Sequence, residues 1–73
     1  MNRVKLARYE SGLSIEEAAR LLNISAGYLS QIENGHRHVS SERANAIALV
    51  YGKAKEDIFL PTRYAIREVD LKI

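Results

Sequence analysis

Apolar residues recur three and four positions apart along this chain, in short blocks separated by glycine. Gly12, Gly35 and Gly52 each follow such a block, and a left-handed residue that ends a helix costs glycine least. The pattern predicts a series of helices. The first spans residues 2–11, with Asn2 as cap, Val4 and Ala7 facing inward and Leu6 at the margin of the same stripe. Leu13 then re-enters the core. Ser14 followed three residues later by Glu17 is a capping box, which predicts a second helix over 15–22 with Ala18, Ala19 and Leu22 inward. Asn23 tolerates the left-handed conformation, Ile24 is an apolar turn residue, and Ser25 caps a third helix over 26–34. Leu29 and Ile32 give that helix a narrow buried stripe. A fourth helix over 41–51, capped by Ser40, presents Ala44, Ile47, Ala48 and Tyr51; a short fifth covers 55–59, and Pro61 closes it.

After Pro61 the period changes. Val69, Leu71 and Ile73 alternate with Glu68, Asp70 and Lys72, the spacing of a half-buried strand. Residues 1–60 therefore read as one helical domain and 61–73 as a tail with a strand-like pattern. No internal repeat or low-complexity tract interrupts either part.

At 73 residues, 47% hydrophobic and 27% charged, the chain has the composition of one small globular domain and little room for a large enclosed pocket. It contains no cysteine, which excludes disulfide staples, thiolate zinc sites and cysteine nucleophiles. Helix packing or dimerisation must supply the missing stabilisation. No apolar run approaches the ~20 residues that span a bilayer, and the N-terminus lacks a signal-peptide layout, so a cytoplasmic protein with no membrane partner is expected. Eleven basic against nine acidic residues leave a net charge of +2, which permits a polyanionic partner without demanding one.

Two short helices joined by Asn23, Ile24 and Ser25 have the layout of a helix-turn-helix, whose second member can enter the major groove of DNA. Ala19 is small where the helices cross, and anchoring by Leu29 and Ile32 turns Ala26, Gly27, Ser30 and Gln31 outward, with Tyr28 at the edge. Such spacing also fits helical bundles unrelated to DNA.

The string LSIEEAARLLNISAGYLSQIENG, residues 13–35, resembles the helix-turn-helix of the Xre or lambda-repressor-like DNA-binding family. The resemblance extends to Val4 and Arg8 upstream and to Ala44, Ile47, Gly52, Asp57, Ile58 and Phe59 downstream, about residues 2–60. It implies an all-α fold, a compact five-helix lambda-repressor-like domain with the helix-turn-helix at about 15–34; the short C-terminal extension with its strand-like pattern has no counterpart in the resemblance. Family members are commonly transcriptional repressors that bind operators as dimers. The resemblance places Ala26, Gly27, Tyr28, Ser30 and Gln31 on the base-reading side. Among them Gln31 has the chemistry for a bidentate pair with adenine. Phosphate contacts fall to Ser14, Ile15, Asn34, His36, Arg37 and His38, and the N-H groups that open the second helix suit an anion. Arg8 and Glu33 match positions that form an internal ion pair. Three departures stand out: Ile15 where many relatives carry a DNA-touching Gln, Ala26 where many carry a longer reader, and Asn23 where Gly is usual.

These residues imply double-stranded DNA as partner and a homodimer as the binding form, with Ile58 and Phe59 or the tail residues Val69, Leu71 and Ile73 at the dimer interface. The competing reading is a protein-interaction module or antitoxin-like partner that does not read DNA, for which Ile15 and Ala26 would supply an apolar patch. His36 and His38 lack the further ligands of a metal site, and Glu10, Glu16 and Glu17 are explained as a cap and helix-surface charges. No catalytic residue, metal or cofactor is expected, and the chain reads as a non-enzyme.

Overall fold

A computed structural model of the chain describes residues 2–59. Its regular elements there are five helices: α1 (Arg3–Glu10), α2 (Ile15–Leu22), α3 (Ala26–Glu33), α4 (Ser41–Val50) and α5 (Lys55–Ile58). Four of the five start where a short polar side chain caps the first turn. The Asn2 side chain accepts from the Lys5 N-H, Ser14 from Glu17, Ser25 from Tyr28 and Ser40 from Arg43. At α2 the box is reciprocal, because the Glu17 carboxylate accepts the Ser14 N-H at 2.9 Å while Ser14 Oγ accepts the Glu17 N-H at 3.0 Å. Those bonds hold the Glu17 carboxyl below the usual carboxylate range.

The turns follow the sequence pattern. Asn23 takes φ 60°, ψ 42° at the end of α2, and Gly12, Gly35 and Gly52 have φ of 78°, 79° and 70°. A Cβ at Gly12 or Gly52 would meet no neighbour within 4 Å, so these two glycines answer to backbone conformation and not to crowding.

The core is built from Val4 and Ala7 of α1, Ala18, Ala19 and Leu22 of α2, Leu29 and Ile32 of α3, Ala44, Ile47 and Ala48 of α4, and Val39, Tyr51, Ile58 and Phe59. Leu13 packs at its margin. Helix α2 lies against both α3 and α4, and α5 against α1 and α4. Two polar links fasten the ends: Lys53 pairs with Glu10 at 2.9 Å, and Arg3 Nη1 donates to the Asp57 carbonyl at 3.3 Å.

Two expectations need adjustment. Leu6 stays 46% exposed, because the inward stripe of α1 is completed by Arg8 instead. Ile58 and Phe59, expected at a dimer interface, are 3% and 1% exposed and fill the core of their own chain. The residue after α5 turns extended, with φ −122° and ψ 149° at Phe59, and this carries the ring inward. Val69, Leu71 and Ile73, with the strand expected of the tail, lie outside the described residues.

Candidate nucleic-acid interface

The orientation of α3 is fixed by what it buries. Leu29 and Ile32 are 0% exposed, and so is Glu33. A carboxylate at that depth requires partners, and it has them. Arg8 Nε donates to Glu33 Oε1 at 3.2 Å and Oε2 at 3.0 Å, and the Tyr51 hydroxyl donates to Oε2 at 2.6 Å. Arg8 Nη1 also donates to the Leu13 carbonyl at 3.1 Å, and Asn2 Nδ2 donates to the Glu33 carbonyl. The expected pairing of Arg8 with Glu33 is thus present, and it ties α3 to α1, to the turn before α2 and to the end of α4. Burial pushes the Tyr51 hydroxyl well above its ordinary pKa, and its bond to the carboxylate adds to this. For Arg8, burial disfavours the cation, but the carboxylate bond and charge outweigh it and leave the pKa raised.

With 29, 32 and 33 inward, Gly27, Gln31 and Asn34 face outward, spaced four and three residues apart. Ala26, Tyr28 and Ser30 are half-buried flanks of that face. No Cβ neighbour lies within 4 Å of Gly27, which leaves this part of the helix open to close approach by another molecule. Asn34 Nδ2 donates to Ser30 Oγ at 3.2 Å. The following turn carries His36, Arg37 and His38, all exposed.

Cationic groups gather beside this face. Arg37 Nε donates to Gln31 Oε1 at 2.6 Å, and the guanidinium lies 5.5 Å from the centre of the Tyr28 ring. Arg43, in the first turn of α4, lies 5.8 Å from the same ring. Both distances are within the range of a cation-π attraction. Arg43 carries no signal of this role along the chain, because nothing in the sequence links it to Tyr28. Tyr51 reads from its spacing as core; a buried phenol needs a hydrogen-bond partner, and that rule points to a buried acceptor, which is Glu33.

Ser14 and Ile15 lie at the start of α2. Both polar groups of Ser14 other than its carbonyl are engaged by Glu17, Ile15 is half-buried against the core, and Glu16 and Glu17 bring negative charge to the same turn. The first turn of α3 contains no acidic residue. Among the described residues no three His, Cys, Asp or Glu side chains group as a metal site, and no helix is long and apolar enough to cross a membrane.

The sequence model of a helix-turn-helix family matches residues 4–58. No curated protein and no solved structure matches the chain.

Proposed function

The chain belongs to the helix-turn-helix family of DNA-binding regulators of the Xre and lambda-repressor-like type, and from that premise we propose that it is a transcriptional repressor that reads a two-fold operator as a homodimer. The observation that carries this reading is the outward face of α3: Gly27, Gln31 and Asn34 are exposed while Leu29, Ile32 and Glu33 lock the opposite side into the core. One α3 per subunit enters the major groove, at half-sites about 34 Å apart. Gln31 is the principal base reader, with Ala26, Gly27, Tyr28 and Ser30 shaping the contact. Asn34, His36, Arg37 and His38 meet phosphates beside it, with the backbone at the start of α2 and the Ser14 hydroxyl on the opposite side.

Ile58 and Phe59 are spent on the core, so the dimer contact of this proposal falls to the tail, through Val69, Leu71 and Ile73. Sedimentation of a chain truncated after Leu60 tests it: a monomer is expected. A persisting dimer moves the interface to the exposed leucines Leu21 and Leu49, 64% and 78% exposed on α2 and α4.

The deciding experiment is a fluorescence-anisotropy titration against the DNA upstream of the chain's own coding sequence and a scrambled duplex, at near-physiological salt. Preference for the upstream duplex, reduced to the scrambled level by Gln31→Ala, is expected. Equal weak binding to both rejects the reading and makes the protein-interaction module the better one. That alternative draws little from the structure, because Ile15 and Ala26 are half-buried against their own core.

A further inference from the structure

The contact between Arg37 and Gln31 joins a residue assigned to phosphate with the residue assigned to base reading, and the two roles are not independent. A glutamine amide on a solvated helix face is free to rotate about its last torsion, and each rotation presents a different order of donor and acceptor to a base edge. Adenine needs one order only: an N-H toward N7 and the oxygen toward the N6 amino group. In this chain Gln31 Oε1 accepts from a charged donor at 2.6 Å, the short distance of a charge-assisted bond. The oxygen is thereby pinned on the Arg37 side, and the Nε2 amino group is fixed on the other. One oxygen lone pair remains for a base donor. The guanidinium is itself braced, 5.5 Å from the Tyr28 ring centre, with Arg43 at 5.8 Å from that ring. Only Nε of Arg37 is used in this bond, and its Nη groups have no hydrogen-bond partner among the described residues, so they remain available for a phosphate.

We propose that Arg37 is a positioning residue for sequence recognition: it sets the direction of the Gln31 amide before DNA is met, and so contributes to base discrimination as well as to affinity. This rests on the DNA-reading function proposed above. A phosphate contact alone predicts that losing Arg37 weakens all duplexes alike. An amide clamp predicts that the loss falls on one base pair. Lysine separates the two roles, because it keeps the positive charge and reaches phosphate but lacks the planar Nε-H that faces Gln31.

The test uses the full chain and the duplex it enriches from a 20-base-pair randomised library, with each base pair of that duplex then substituted in turn. Gln31→Ala identifies the base pair whose discrimination depends on Gln31. Arg37→Lys is expected to lower discrimination at that pair by about 5- to 10-fold, about 1–1.4 kcal/mol. Other positions and the salt slope should stay unchanged; Arg37→Ala should give the same loss and also reduce the salt slope by about 0.9. In a double-mutant cycle, Arg37→Lys should have no further effect at that pair once Gln31 is Ala. In the protein without DNA, Arg37→Lys should shift the Gln31 side-chain amide resonances by NMR, with the backbone spectrum of the core unchanged.

Full discrimination at the Gln31-dependent pair in Arg37→Lys overturns the inference and leaves Arg37 a phosphate contact. Equal losses at all pairs do the same. If the library yields no enriched duplex, the DNA-reading function falls and the inference falls with it, a result separable from the first two.

Discussion

Arg8→Met offers a direct measure of what holds α3 in place. The substitution keeps most of the aliphatic stem and a helix-compatible residue, but removes the cation. Among the described residues, the Glu33 carboxylate, 0% exposed, is then bonded only to the Tyr51 hydroxyl at 2.6 Å, and the Leu13 carbonyl loses the Arg8 Nη1 donor. Breaking a buried ion pair by removing one partner costs about 3–5 kcal/mol. A domain of this size has about 4–11 kcal/mol of total stability at ~0.05–0.15 kcal/mol per residue. The variant should therefore lose between about a quarter and all of it. Urea unfolding followed by helical circular dichroism is the assay; with a slope near ~1 kcal/mol per molar for so small a protein, the midpoint should fall by about 3 M or more. Replacing the whole polar set, as Arg8→Met, Glu33→Leu and Tyr51→Phe together, should recover most of the loss, since apolar packing of similar volume is often no worse than a buried pair. A loss under ~1 kcal/mol for Arg8→Met alone, or a triple variant whose cost is the sum of its parts, would refute the claim that these groups are coupled in a desolvated site.

The remaining predictions address pH, local backbone and the reading face. Because the Tyr51 pKa is raised in the folded chain, its stabilising contribution is complete below the unfolded value near 10 and is lost as pH rises through the higher folded value; stability should decline above about pH 10, and Tyr51→Phe should remove that part of the decline in alkaline urea titrations. Gly12→Ala should cost about 1–2 kcal/mol by urea unfolding although the site is open, since φ of 78° is what alanine resists. Gly27→Ala should behave oppositely, gaining ~0.5 kcal/mol in the helix while weakening binding to the preferred duplex in anisotropy titrations. Unchanged affinity would show that DNA does not approach the backbone at Gly27.

Much of this architecture was readable along the chain because its determinants are local. A cap lies three residues from the N-H it satisfies, as with Ser14 and Glu17, and a left-handed stop depends on a single residue, as at Asn23, Gly35 and Gly52. Leu29 and Ile32 select the buried side of α3 by spacing alone. The resemblance of residues 13–35 to a known family extended this to Arg8 and Glu33, whose separation of 25 positions no periodicity reports.

What the sequence left open depended on pairs distant along the chain. Leu6 and Arg8 both lie near the inward stripe of α1, and only the presence of Glu33 opposite it decides that the arginine is buried and the leucine exposed. Ile58 and Phe59 read as a possible interface until the extended turn after α5 put them into the core. Tyr51, Arg43 and Arg37 gained their roles from the side chains that folding sets beside them: Glu33 for the first, the Tyr28 ring for the other two, and Gln31 for Arg37 alone. The sequence by itself determined where the helices begin and end and which side of α3 is buried, because caps, turns and apolar spacing act over a few residues. Tertiary structure decided which charges are buried and which way the Gln31 amide points, because the energy of a charge or a hydrogen bond depends on what lies within a few ångströms of it, wherever in the chain that group originates.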